Sequence, residues 1–515
     1  MATPSTPNTI AAVADPVITD LTIRPSVHEM NPREWRCIKK DLYLHTSEQS
    51  AYLYIALKNE KELTAEDLVV VDIRVGEAPS DKTSGHLWES RPGGIWVLKS
   101  RFSGNIDQAV TEVDVLFGTD AVDPRPQWNL MRLPLQVNAH PQVPVARLSV
   151  LHGRAKPRPD ARPALRVEEY GKFKIVQISD THMVIGVGVC KDAIDAHGNN
   201  LSEKILDVEK PYIVILIGDQ LHHDIPDSQS ALFKVVAPMI ERSIPFAVVF
   251  GNHDSEGLYA LSRTAQMSIL QNLPRSLSES GPEEVDGVGN FYLQVLAPAP
   301  SRRPLSTLYF LDSHGQTSGG DYESIKQSQI DWFTNISQAQ RSRPERNDDD
   351  DESRFHLSLA FIHIPVPEFG DRHIKIHAGH RREPTEGPSS NSHFYDALVK
   401  EGVSALGCGH DHVNDFCALL PHQEQKGGNN NETHQPGPWL CYGGGSGFGG
   451  YCSYGRKRFH RRMRVWELDT STGGLKTWTR VEYSEDRVNE LVLAQRGVVA
   501  VPPGEEVAGK RCVVS

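Results

Sequence analysis

No stretch of this 515-residue chain is apolar for long enough to cross a bilayer, which takes about 20 residues. The opening MATPSTPNTIAAVADP has neither the basic start nor the apolar core of a secretory signal. A basic surplus is missing too: 66 acidic against 54 basic side chains leave a formal charge of -12, which gives no electrostatic reason to expect nucleic acid as a partner. Paired cysteine spacing is also absent. Cys37, Cys190, Cys408, Cys417, Cys441, Cys452 and Cys512 form an odd, dispersed set, which suits a reducing compartment better than a disulfide framework. The expected address is cytoplasmic, and the sequons at Asn200, Asn335 and Asn431 read as chance matches. What remains is the composition of a soluble globular protein too long for one core.

Five segments follow from texture. Residues 1–16 read as a disordered tail and 17–138 as an all-β domain. Within the latter, VITDLTI (17–23), VVVDIRV (69–75) and AVTEVDVLF (109–117) repeat weakly, each with an acid followed 15 or 16 residues later by Trp35, Trp88 or Trp128. Three related units predict a three-sided β-prism, either a docking module or a structural cap. Residues 139–165, with five prolines, read as a linker. From 166 to 485 apolar strand-length runs alternate with helical spacing, as in FKIVQIS, YIVILIG, PFAVVFG, LYFLDS, HLSLAFIH and SALGCGH. Residues 486–515 read as a tail. RSRPERNDDDDESR (341–354) and HQEQKGGNNNETHQPG (422–437) read as low-complexity surface insertions.

The chemistry sits where those runs end. Three successive strands finish in Asp180-Thr181-His182, Gly218-Asp219-Gln220 and Gly251-Asn252-His253-Asp254. Two later ones finish in His363 and in Gly409-His410-Asp411-His412. Polar groups at the carboxyl ends of strands are where open α/β sheets place their sites. Carboxylate, amide and imidazole together suit two borderline divalent or trivalent metals.

This series of blocks, D-x-H, G-D, G-N-H-D, H and G-H-x-H, resembles the calcineurin-like metallophosphoesterases over about residues 170–470. Within them it is similar to a subgroup of fungal cell-cycle regulator phosphatases and short plant purple acid phosphatases. The resemblance implies an α/β fold of two packed mixed β-sheets flanked by helices, with the all-β domain in front. It implies two metal ions, iron, manganese or zinc: Asp180, His182 and His412 on the first, Asn252, His363 and His410 on the second, and Asp219 bridging. The implied reaction is hydrolysis of a phosphomonoester by a metal-bound hydroxide, on a phosphorylated substrate that includes the case of a phosphoprotein. Phosphodiesterase activity on the same site, or a binding scaffold without catalysis, are the alternatives. His253 would donate to the leaving group and Asp254 would fix its tautomer. Purple acid phosphatases carry a tyrosine where this chain has His222, so no purple charge-transfer band is expected. His222 is then a replacement ligand, a donor beside the site, or a loop histidine.

Glu383, Asn391 and His393 are expected to line the pocket. Gly445-Ser446-Gly447-Phe448-Gly449-Gly450 matches G-x-G-x-x-G but no helical pattern follows, so a glycine-rich turn at the site mouth is expected rather than a nucleotide loop. RKRFHRRMR (456–464) is an attractor for a phosphorylated protein, an import signal or a solvated strand edge. Cys512-Val513-Val514-Ser515 fits a prenylation box. One farnesyl chain would dock only weakly and reversibly to a membrane, with Lys510 and Arg511 as a second signal.

Overall fold

Each of the three N-terminal repeats folds into its own three-stranded antiparallel sheet. The sheets are Pro16–Arg24, Tyr52–Asn59 and Trp35–Ile38; Leu68–Val75, Ile95–Arg101 and Trp88–Arg91; and Val110–Phe117, Ala146–His152 and Trp128–Leu130. In every case the strand last in sequence lies in the middle, and the short edge strand starts at the repeated tryptophan. The computed structural model describes residues 16–79, 88–155, 162, 164–168, 171–185, 201–341, 355–421, 436–447 and 449–502. The chain divides into two compact units, residues 1–160 with 185–188 and residues 161–184 with 189–515.

The repeated acid of the first unit has a physical cause. Each first strand carries a β-bulge just before it, between Ile18 and Asp20, Val70 and Asp72, and Val110 and Glu112. Asp20 and Asp72 then accept the backbone N–H of the next residue. Equivalent residues Val17, Val69 and Ala109 meet in one cluster with Phe102 and Ile106, so the three sheets share a small core. Arg91 and Lys99 of the second sheet bind Asp20 of the first, and Arg36 of the first binds Glu112 of the third. The expected linker at 139–165 is corrected: Ala146–His152 is the central strand of the third sheet. Its prolines flank a proline-free run and do not interrupt it.

In the second unit all six apolar runs become strands, sorted into two mixed sheets. The seven-stranded sheet runs Phe246–Val249, Ile213–Ile217, Lys172–Ile178, Arg462–Asp469, Gly474–Val481, Val488–Gln495, Val498–Val499. The eight-stranded sheet runs Leu165–Arg166, Phe291–Leu296, Pro304–Phe310, Leu357–Phe361, Ala405–Cys408, Trp439–Tyr442, Cys417–Leu419, Lys375–Ala378. The sheets pack face to face: Phe173, Ile175, Ile215 and Trp466 from one meet Phe310, Leu359, Phe361 and Trp439 from the other. Residues of opposite parity, such as Tyr309, Ala360 and Leu406, point to the far face and pack on Phe333 and Phe394 of the helices Gln327–Arg341 and Phe394–Lys400. Burial on both faces is why these strands are apolar without alternation. The predicted helical spacing at 231–240 lies in Ser228–Glu241, capped by Asp227 accepting from Ser230. The expected tail is also corrected, since Val488–Gln495 and Val498–Val499 complete the seven-stranded sheet. A further correction concerns the cysteines. Cys417 and Cys441 face each other across paired antiparallel strands and form a disulfide, a bridge that a separation of 24 positions hides from spacing.

The joint between the sheets is not wholly apolar. Gln177 donates to the Cys408 carbonyl of the opposite sheet at 3.0 Å and accepts from Trp466 Nε1 at 3.0 Å. Fully buried Arg464 donates to the carbonyls of Tyr442 and Asp415 and to Thr477. Gln177→Leu keeps the volume but leaves the buried Trp466 indole N–H unpaired, at about 1–3 kcal/mol, while the Cys408 carbonyl keeps the Gly443 N–H. A denaturation midpoint lowered to match is the expected outcome, measured by urea titration followed through tryptophan fluorescence.

Candidate metal centre

Both sheets deliver side chains to one place. Lys172–Ile178, Ile213–Ile217 and Phe246–Val249 end in Asp180 and His182, in Asp219, and in Asn252 and His253; Leu357–Phe361 and Ala405–Cys408 end in His363 and in His410 and His412. The backbone is strained there. Asp180, His182, Asp219 and His410 all adopt left-handed φ, at 54°, 44°, 51° and 75°, which non-glycine residues hold only when surrounding structure enforces it. The motif glycines answer to crowding. A Cβ at Gly251 would stand 2.2 Å from Asp219 Oδ1, and one at Gly409 would stand 1.9 Å from Ser179 Oγ.

The ligating atoms form two groups that share one carboxylate. Asp180, His182, Asp219 and His412 lie together, as do Asp219, His363 and His410, and all are buried. Asp219 Oδ2 is 3.6 Å from His182 Nε2 and 3.3 Å from His363 Nε2; His412 Nε2 is 3.5 Å from Asp180 Oδ1. The chemistry of these atoms fits a pair of cations. Asn252 Oδ1, His363 Nε2 and His410 Nε2 are buried and make no hydrogen bond, an arrangement that costs about 1–3 kcal/mol per group without a partner. His182 Nε2 and His412 Nε2 point at each other at 3.1 Å. Burial opposes charge on His363, yet Asp219 and Asp180 overcome it and raise the imidazole to about 9. This is a hole that attracts positive charge. His363 Nδ1 faces the Ile217 carbonyl at 2.9 Å and His412 Nδ1 the Tyr451 carbonyl at 3.0 Å, which leaves each Nε2 for the centre.

One expected role is overturned. Asp254 does not reach the imidazole of His253. Its fully buried carboxylate accepts the backbone N–H groups of Asp219, Leu221 and Gly251 and so ties two of the motif loops together. Burial and the Asp219 charge push it up to about 7, against the pull of the Gly251 and Leu221 amides. The partner of His253 Nδ1 is Glu256, which a single 3-10 turn, His253–Ser255, brings back over the ring. His222 lies at the rim, its ring 6.1 Å from that of His182 and its Nδ1 2.7 Å from Asp224. With His223 and Asp224 it forms an outer group of ligating atoms.

Of the three expected pocket residues, Glu383 is buried behind the His412 loop, accepting from Val413 N–H and Tyr451 O–H. Asn391 is bound to Glu368 and His393 to Asp396, on an exposed turn, and neither joins the cluster. The glycine-rich turn does lie at the site: a Cβ at Gly450 would fall 2.4 Å from His412 Cε1 and 2.8 Å from His182 Cδ2. Three neighbours went unread. Tyr451 stacks on His412 at 3.9 Å and 8°. Tyr322 packs edge-on to His410 at 4.7 Å, its hydroxyl pushed up to about 12 by burial and by carboxylates beginning with Glu386. Arg263, paired with Asp312, donates to the carbonyls of Gly251 and His314 and so braces the Asn252 loop. None of the three lies in a block; only Glu256, three residues past His253, was within reach of helical spacing.

Asp254 and Glu256 therefore separate by experiment. Asp254→Asn faces a backbone donor with its amide and is expected to lower the melting temperature and the bound metal together. Glu256→Gln is expected to keep metal content while kcat falls about tenfold, the usual scale for a weakened proton-transfer group. Elemental analysis beside steady-state kinetics tells the two apart. Removing metal with a chelator is expected to lower the melting temperature, because ions that bind only the folded chain stabilise it by mass action.

Residues 173–414 match the calcineurin-like phosphoesterase family. The phosphatase DCR2 of Saccharomyces cerevisiae is 33% identical over 443 residues, taking in 80% of this chain and 71% of that protein. The probable inactive purple acid phosphatase 29 of Arabidopsis thaliana is 33% identical over 352 residues, 62% of this chain and 85% of that one. A solved dimetal phosphatase from Danio rerio aligns with 62% of this chain and 98% of its own, at a TM-score of 0.37 and 14% identity. The chain belongs to the calcineurin-like phosphoesterase family, hydrolases of phosphoric ester bonds.

Proposed function

We propose that this phosphoesterase hydrolyses a phosphomonoester at the paired centre, with Asp180, His182 and His412 holding one metal, Asn252, His363 and His410 the other, and Asp219 both. The observation that carries the reading is the set of orphaned atoms: Asn252 Oδ1, His363 Nε2 and His410 Nε2 are buried, unbonded and on separate chain segments. Two bound cations would polarise the phosphate ester and bring a water to its nucleophilic form near neutral pH.

The chain's own groups do the rest. His253 is partly exposed beside the centre, its Nε2 3.9 Å from Asp219 Oδ2 and its Nδ1 on Glu256. Held so, its Nε2 faces the centre, the position from which it would donate to the departing alkoxide. Tyr322, protonated at all ordinary pH, offers its O–H to a phosphate oxygen. His253 is held before substrate arrives, its backbone N–H donating to Asp219 Oδ1, and such preorganisation is where electrostatic catalysis gains most. A phosphoprotein is the substrate class we favour, because the rim at His222, His223 and His253 is open to solvent and leaves room for a bulky leaving group. The plant relative's name carries the word inactive; in this chain every donor of both groups is in place. Cys512, the prenylation candidate, lies outside the described residues. Among the described residues no helix is long and apolar enough to cross a membrane.

The test is a paired assay of the wild type and Asp219→Asn on a phosphomonoester and a phosphodiester, each with iron, manganese and zinc. Monoester turnover that falls at least about 1000-fold in the variant is expected, since the shared ligand serves both cations. Preferential diester cleavage would replace the monoesterase reading, and metal-free wild type after reconstitution would end it.

A further inference from the structure

The glycine run pressed against His182 and His412 ends in Tyr451, and the chain then forms a tight hairpin, Ser453–Tyr454 paired with Lys457–Arg458. Tyr451 fixes where that hairpin starts. Its ring stacks on His412, its carbonyl faces His412 Nδ1, and its hydroxyl accepts the His412 backbone N–H at 3.1 Å. The basic run of the sequence divides here by face. Arg461, Arg462 and Arg464 are buried, Arg462 on Asp415 and Arg464 on backbone carbonyls. Arg456, Lys457 and Arg458 stay exposed, and among the described residues no carboxylate forms an ion pair with any of them.

Arg458 reaches the Cys452 thiol, but one thiol contact does not balance the charge of three such neighbours. Adjacent like charges repel, and a two-residue strand pair has little else to offset it. In a chain of net charge -12 the concentration is local. The exposed groups beside His253 and His222 carry the opposite sign: Glu256 sits on His253 and Asp224 on His222.

We propose that the hairpin Ser453–Arg458 is a subsite for a second anionic group on the substrate, about 10–15 Å from the phosphoryl group by the rise of extended chain from Tyr451 to Arg456. The substrate is then a phosphomonoester whose organic part carries a further phosphate or a run of carboxylates on one side. This rests on the monoesterase reading above. Exposed charges act over about 8–10 Å at physiological salt, so the subsite governs capture and orientation more than the chemical step. The anionic arm lies over the hairpin and away from Asp224 and Glu256.

Two phosphoserine peptides of equal length decide it, one with acidic residues roughly three to five positions from the phosphoserine, the spacing that extended chain allows, and one with glutamines there. The quantity read is the ratio of kcat/KM, acidic over glutamine, for the full chain with both metals, which cancels any general loss of activity. The wild type is expected to favour the acidic peptide about tenfold at low salt, through KM, with the preference eroded as salt rises. The triple variant Arg456→Ala, Lys457→Ala, Arg458→Ala is expected to bring the ratio near one, and Arg456→Glu with Lys457→Glu to push it below one. A wild-type ratio near one, or a triple variant that keeps the wild-type ratio, overturns the subsite. If neither peptide turns over, the phosphoprotein substrate fails by itself. Fluorescence anisotropy with non-hydrolysable phosphonate peptides still decides the subsite: tighter acidic binding lost in the triple variant supports it, and equal binding overturns it.

Discussion

Asp180 and Asp219 are fully buried carboxylates whose oxygens lie within 4.8 Å of one another, a placement that is costly to leave uncompensated. Two anions so placed cannot both stay ionised in a protein interior unless positive charge lies between them. The surrounding structure follows from holding them there. Asp254 gathers three backbone amides so that the loops of Asp219 and Asn252 keep their relative position. Glycines stand wherever a methyl group would push one motif off the next. The strained φ values of four site residues persist because packing on every side over-determines them. The sheets meet through Gln177 and Arg464, whose directional bonds set register where apolar contact alone would tolerate sliding.

The side chains gathered at the candidate centre were legible because each follows an apolar run of strand length, and strand ends are where a chain must already turn. The flanking shell was not. Tyr451 is set on His412 by a backbone path through consecutive glycines, and nothing in its own neighbourhood marks it. Tyr322 reaches the site from a loop and Arg263 from the first turn of the helix Arg263–Leu270, both of ordinary composition. Asp254 was misread for an instructive reason: adjacency in sequence placed it beside His253, but the 3-10 turn points its carboxylate inward to amides and leaves the imidazole to Glu256. In the fold, both boundary errors came from proline and polarity. Ala146–His152 and Val488–Gln495 are short strands among turn-forming residues, and only their pairing partners make them strands.

The N-terminal unit follows a different logic. Its three sheets are each too small to bury a face, and they become stable by presenting equivalent small apolar residues, Val17, Val69 and Ala109, to one another. The bulge before each repeated acid turns that acid sideways, where Asp20 and Glu112 find cations of a neighbouring repeat. Repetition and ion pairing thus replace a large core.

The seven-stranded sheet has a consequence for the order in which the protein comes into being. Its strand Lys172–Ile178, which carries the first motif, is bonded to Arg462–Asp469, and the Gln177–Trp466 bond joins residues 289 positions apart. At about 5–20 residues per second of synthesis, the first motif waits roughly 15–60 s on the ribosome for its central neighbour. Asp180 and His182 must pass that interval beside an open strand edge. The N-terminal unit, whose sheets each close within their own repeat, can fold meanwhile. Metal loading is then an event of the finished chain.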